Sequence, residues 1–160
     1  GGPGSGLFVT LDGGKNWERV LHISENTGVS DMEMDPRNPD ILYAVAHQRE
    51  RRVFSKINGG PESAIYKSVD AGANWTKLKK GLPGSNMGKI GLAISPINPD
   101  VLYAVIELDR RKGGVYRTSN RGASWKKMSD NVTGGTGPHY YQELFASPAA
   151  RMRSSGAWLR

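Results

Sequence analysis

The chain has 160 residues, a formal net charge of +7 and no cysteine. That length suits one domain of ordinary size, the missing cysteine excludes disulfide and thiol chemistry, and no apolar run reaches the roughly 20 residues of a membrane-spanning helix. With 21 Gly, 9 Pro and 37% hydrophobic residues, the composition predicts many short strands joined by turns. The positive charge permits a polyanion partner, with a solvated basic surface as the simpler reading.

Gly1 to Gly6 is a flexible lead-in, and Leu7 to Thr10 with Glu18 to Leu21 predict a hairpin. Val29 to Asp35 reads as a strand with Met32 and Met34 on one face, by period two. Asp35-Pro36-Arg37-Asn38-Pro39-Asp40 is a turn whose prolines cannot serve a ladder. Ile41 to Ala46 is almost wholly apolar, the pattern of a strand buried on both faces. His47 to Ser63 reads as a polar, basic loop, and Ala64 to Ser68 with Trp75 to Leu78 predict a second hairpin. The order then recurs. Lys89 to Ser95 aligns Ile90, Leu92 and Ile94, Asn98-Pro99-Asp100 repeats the turn, and Val101 to Val105 matches Ile41 to Val45. Glu107 to Gly113 is a shorter loop, Gly114 to Trp125 holds a third hairpin turn, and Tyr140 to Pro148 begins another unit with Leu144, Ala146 and Pro148 in register with Leu92, Ile94 and Pro96.

The three hairpin turns share one pattern. Thr10-Leu11-Asp12-Gly13-Gly14-Lys15-Asn16-Trp17, Ser68 to Trp75 and Thr118 to Trp125 each place a hydroxyl, then Asp12, Asp70 or Asn120, then Gly14, Gly72 or Gly122, then Trp17, Trp75 or Trp125. The hydroxyl and carboxylate suit backbone N–H groups in the turn, the glycine suits positive φ, and the tryptophan covers the hairpin. Asp12 and Asp70 are 58 residues apart, and Asp70 and Asn120 are 50 apart, a period that belongs to stacked or radial repeats. These turns resemble the Asp-box, Ser/Thr-x-Asp-x-Gly-x-x-Trp, of sialidase-type, sortilin-type and related β-propellers, with Asn120 replacing the carboxylate in the third copy. The resemblance covers roughly Leu7 to Pro148.

It implies an all-β chain, a partial β-propeller of four-stranded antiparallel blades, with two full blades and two incomplete ones. Residues 1–28 would end an incomplete blade, 29–80 and 81–130 would be full blades, 131–148 would hold the first strand of the next, and 149–160 an atypical tail. Because a propeller has about four to eight blades, two full blades cannot close a ring. The remaining blades of a longer chain, or self-association, are therefore expected as partners.

In this connectivity the boxes and Asn-Pro-Asp turns share one end of the blades, and the irregular loops share the other. Function is expected at the loop end. Arg49, Arg51, Arg52, Lys56, Arg110, Arg111 and Lys112 come from adjacent loops there and suit a phosphate, sulfate or carboxylate group, and Tyr140 begins the last strand near the channel mouth. His22, His47 and His139 are not spaced as a metal set, and turn-capping explains Asp12, Asp70 and Asn120 better than metal binding. No cofactor is expected. Glycoside hydrolysis needs two carboxylates about 5–10 Å apart. Glu25, Glu50, Glu62, Glu107, Asp109 and Asp130 fall on the loop end and Asp31, Glu33 and Glu143 on inner strands, but sequence context marks no pair.

The first reading is thus a non-catalytic propeller segment presenting loops to a protein or glycan. The alternatives are part of a secreted glycoside hydrolase, sialidase-like or xyloglucanase-like, and a polyanion binder using the basic loops. Nucleic acid is the weaker polyanion. The resemblance implies an extracellular or periplasmic location.

Overall fold

The computed structural model describes residues 2–84, 86–108, 113–130 and 144–148. Eleven strands run in chain order: β1 Leu7–Val9, β2 Glu18–Leu21, β3 Thr27–Met34, β4 Leu42–Arg51, β5 Lys56–Asn58, β6 Ala64–Ser68, β7 Thr76–Lys77, β8 Met87–Ile94, β9 Leu102–Leu108, β10 Gly114–Thr118 and β11 Lys126–Ser129. They form an antiparallel pair β1-β2, a sheet ordered β3-β4-β6-β7 with β5 added to β4, and a sheet ordered β8-β9-β10-β11. The two larger sheets are successive up-and-down meanders, as expected of propeller blades, and no helix occurs among the described residues.

The core lies between these blades. Tyr43, Val45 and Ile65 of the first pack with Ile90, Leu92, Leu102, Ala104, Ile106 and Trp125 of the second. Burying such side chains contributes roughly 1.5–3 kcal/mol each. The apolar run in β4 is buried on both faces, as its composition predicts: Tyr43, Ala44, Val45 and Ala46 are all fully shielded.

The box turns close as their chemistry predicts. Ser68 Oγ donates to Asp70 Oδ1 at 2.7 Å and accepts the Gly72 N–H at 2.9 Å. Asp70 Oδ1 accepts the Asn74 N–H at 2.8 Å, and Trp75 Nε1 donates to the Gly72 carbonyl at 2.9 Å. Gly72 sits at φ +93°, where a side chain would be strained. Thr10, Asp12, Gly14 and Trp17 repeat these bonds in the first copy. In the third, Thr118 serves Gly122, and Asn120 Oδ1 accepts the Ser124 N–H at 2.9 Å. Each of the last two boxes docks on its own blade's proline turn: the Ala71 N–H donates to the Asp40 carbonyl and the Arg121 N–H to the Asp100 carbonyl, both at 3.0 Å. The boxes and turns therefore share one end of the blades.

A charged network at that end was not legible in the sequence. Arg37 Nη2 bridges Asp35 Oδ2 at 2.8 Å and Asp100 Oδ1 at 2.7 Å, and Arg121 Nε reaches Asp100 Oδ1 at 2.7 Å. It joins the two full blades, and the Arg37 bonds hold the buried Asp35 carboxyl below its usual range.

Three expectations need correction or restriction. His47 to Ser63 is not simply a loop, because β4 continues to Arg51 and pairs with β5, with Arg49 opposite Asn58 and Arg51 opposite Lys56. The β4–β6 ladder ends at Ala46 and Ala64, so β4 exchanges partners there and its backbone stays paired; a polar two-stranded ribbon shows no apolar alternation to announce it. Met32 and Met34 do share a face, but are 44% and 47% exposed, so that face of β3 is not core. The strand expected over Tyr140 to Pro148 lies partly outside the described residues; Leu144 to Ser147 carry no strand, although Leu144 is buried against Ala93, Val105 and Val115.

Candidate functional site

The seam between the two full blades brings together two groups of polar side chains. The first is on β3, the innermost strand of its sheet. Because alternate side chains share a face, Asp31 and Glu33 project opposite to Met32 and Met34. Asp31 Oδ2 accepts the Leu92 N–H of β8 at 2.9 Å, and the Glu33 carboxyl accepts the Ile94 N–H. A bulge in β3 between Val29 and Asp31 shifts the register here, which re-aims the side chains that follow. Burial first, and the Asp31 charge second, raise the Glu33 carboxyl from 4.5 to about 7. Two carboxyls thus sit two residues apart on one strand face, about 6.5–7 Å along it, one of them holding a proton near neutral pH.

The second group lies at the loop end. Tyr43, Val45, His47, Arg49 and Arg51 alternate along one face of β4, and its buried members meet β8. Burial, then the charges of Arg49, Lys89 and Lys56, push the His47 imidazole down to about 4, so it is neutral. Glu107 Oε2 accepts the Lys89 N–H at 3.3 Å, and burial raises that carboxyl. The ribbon is pinned over the seam: the Gly60 N–H donates to the Met87 carbonyl at 3.0 Å. Gly59 has φ +115°, and a Cβ there would lie 2.7 Å from the Met87 carbonyl oxygen.

Of the basic residues singled out in the sequence, Arg49, Arg51, Arg52 and Lys56 lie together on this ribbon, where Arg52 pairs with Glu50. Arg110, Arg111, Lys112 and Tyr140 lie outside the described residues. Sequence reasoning missed Lys89 and Glu107 as neighbours of the ribbon, since only the packing of the blades brings them there. It also left Asp31 and Glu33 unpaired; the available signal was Asp-x-Glu at period two on an inner strand. Asp12, Asp70 and Asn120 serve their own turns. Among the described residues no group of three or more His, Asp or Glu is placed to hold a metal ion.

The profile of the family described as "Sortilin-Vps10: Sortilin, neurotensin receptor 3" matches residues 5–136. A xyloglucanase of a Paenibacillus species is 32% identical over 116 residues, covering 68% of this chain and 10% of that protein. A probable oligoxyloglucan-reducing end-specific xyloglucanase of Neosartorya fischeri is 27% identical over 183 residues, covering 98% of this chain and 22% of that protein. The chain therefore spans roughly a tenth to a fifth of these curated relatives. Among solved structures, an ancestral GH74 enzyme superposes with a TM-score of 0.58 at 20% identity, over 77% of this chain and 16% of that one. The GH74 xyloglucanase of Xanthomonas campestris gives 0.56 at 21% identity, over 76% and 17%. At this identity the likeness shows the fold: the successive sheets are blades of a β-propeller.

Proposed function

The chain belongs to the Sortilin-Vps10 family, and from that premise we propose that it is a segment of a glycan-cleaving propeller, a glycoside hydrolase of the xyloglucanase kind. The comparisons favour this reading over the non-catalytic scaffold that the sequence alone ranks first, because named relatives sharing most of this chain are xyloglucanases. Action on a cell-wall glycan would also fit an extracellular or periplasmic location.

The observation in the structure that carries the proposal is the Asp31–Glu33 pair. A carboxyl raised to about 7 can give a proton to a glycosidic oxygen, while an ionised neighbour activates water or stabilises positive charge. Two residues along a strand advance about 6.5–7 Å, a spacing compatible with the carboxyl separation of enzymes that invert the anomeric centre. In the longest gene product containing these blades, Glu33→Gln and Asp31→Asn should each lower xyloglucan hydrolysis by about 10²–10⁴-fold. Undiminished turnover in both variants would remove the pair from catalysis.

A second reading rests on the same side chains. Both carboxyls are seated on backbone N–H groups of β8, which suits a scaffold that presents loops to a glycan or protein. In that case there would be no hydrolysis for either variant to lose, and Asp31→Ala, which removes the acceptor for the Leu92 N–H, would act on stability alone.

A further inference from the structure

Tyr43 stands directly opposite Glu33 in the β3–β4 ladder. Residues opposed this way keep their side chains on one face, with Cβ atoms about 4.5–5.5 Å apart. Tyr43 is fully buried, and Glu33 is half-buried. The ring is fixed from the next blade. Its hydroxyl donates to the Arg121 carbonyl at 3.2 Å, and Lys67 Nζ, 5.5 Å from the ring centroid, donates to the same carbonyl at 2.8 Å. A Cβ on Gly122 would lie 3.5 Å from Tyr43 Cε1, so the third box turn closes against the ring edge. The second blade repeats the tyrosine without the acid, since Tyr103 stands opposite Ala93. Around Glu33, Asp31 lies two residues back on the same strand face, and Asp35 follows two residues on, bonded twice by Arg37. Strand β8 brings the Leu92 and Ile94 N–H groups, taken by Asp31 and Glu33. The charges of Asp35, Arg37, Asp100 and Arg121 act on the Tyr43 hydroxyl.

We propose that Tyr43 is a positioning residue for the Asp31–Glu33 pair: its ring, anchored across the seam, walls the Glu33 carboxyl off from water and fixes where it can deliver a proton. Keeping water from a carboxyl disfavours its charged form, and burial is the first cause of the rise to about 7. Tyr43 acts through Glu33 and not on the glycan itself. The tyrosine is a regular part of both blades; the acid opposite it is what the first blade adds. The positioning role rests on the glycoside hydrolase reading, whereas the wall rests on the ladder and the seam alone.

The test is a carbon-13 NMR titration of the 160-residue chain, reading the Glu33 carboxyl. Burial first, and the Asp35 charge second, push the Tyr43 phenol up to about 12, so the ring has no titration of its own near neutral pH. In the unaltered chain the Tyr43 ring resonances should therefore follow the Glu33 midpoint, at about 7, while those of Tyr103 should not. Tyr43→Leu should bring that midpoint down toward the ordinary 4.5. Tyr43→Phe keeps the ring and should leave the midpoint near its parent value. Tyr103→Leu, the same change at the matching place in the next blade, is the control and should leave it unmoved. In the longest gene product containing these blades, the alkaline fall in xyloglucan hydrolysis should move to lower pH by the same amount in Tyr43→Leu. Tyr43 resonances that stay flat through the Glu33 midpoint would overturn the proposal, and that result needs no variant to fold. So would an unmoved midpoint in Tyr43→Leu, or an equal drop in Tyr103→Leu. Absence of hydrolysis in the parent, with the two titrations still coupled, would overturn the catalytic reading while supporting the wall.

Discussion

Asp31 Oδ2 accepts the Leu92 N–H at 2.9 Å across the seam between two blades. Strand β8 ladders only with β9 among the described residues, so its other edge would present N–H groups that need partners from outside its sheet. Asp31 covers one of these and Glu33 covers the next, at Ile94. Asp31→Ala should leave the Leu92 N–H unmet and cost about 1–3 kcal/mol, read as a lower denaturant midpoint. A shift under about 0.5 kcal/mol would be that of an ordinary surface change and would deny the edge-capping role.

The raised Glu33 carboxyl gives stability a definite pH slope. Folded Glu33 keeps its proton to about 7 while its ordinary value is 4.5. The folded state binds more protons between these values, so stability falls as pH rises from about 4.5 to about 7. His47, pushed down to about 4 from 6.5, gives the opposite slope: stability falls as pH drops from about 6.5 to about 4. The two overlap, so single variants are needed. Glu33→Gln should raise the melting temperature at pH 8 relative to the parent and leave it little changed at pH 4, whereas His47→Gln should help at pH 4. Parallel pH curves for parent and Glu33→Gln would show that the carboxyl is not perturbed.

The box turns make a sharper comparison than any single deletion. Ser68 is 1% exposed and serves both Asp70 and Gly72, so Ser68→Ala should cost about 1–3 kcal/mol. Asn120 shows how the third box works without a carboxylate. Asp70 Oδ2 accepts from Asn74 Nδ2 at 2.7 Å, whereas Asn120 Nδ2 donates to Ser124 Oγ at 2.8 Å. The pair keeps its geometry with donor and acceptor exchanged. Because a serine hydroxyl can also donate, Asn120→Asp should be tolerated within about 0.5 kcal/mol, by thermal melts on both variants.

Arg37 is the keystone of that same end, where it bridges Asp35 and Asp100. Asp35 is 1% exposed and its carboxyl is bonded twice by the Arg37 side chain. Arg37→Met strands a buried carboxylate and should cost about 3 kcal/mol, the low end for breaking such a pair. Asp35→Asn combined with Arg37→Met should recover part of the loss. No recovery in the double variant would mean that Asp35 is not held by charge.

What the sequence disclosed was local. Box turns, proline turns and the buried β4 strand each rest on residues adjacent in the chain, so Ser68, Asp70, Gly72 and Trp75 could be assigned from their spacing. What it hid depends on one blade meeting another. Asp31 reaches Leu92, Arg37 reaches Asp100, and Lys89 nears His47 only after the blades stack. The β4–β5 ribbon was hidden for a different reason: its residues are polar on both faces, so no apolar alternation separates it from a loop.

The central claim is that these blades carry a carboxyl pair that cleaves a glycan. The most direct measurement is proton NMR of the first product released from xyloglucan by the longest gene product containing the chain. A pair two residues apart on one strand face, a backbone spacing of about 6.5–7 Å, suits inversion, so the β-linked backbone should yield the α-anomer first, with the signal lost in Glu33→Gln. Initial release of the β-anomer, or α-anomer release that Glu33→Gln leaves unchanged, would contradict it.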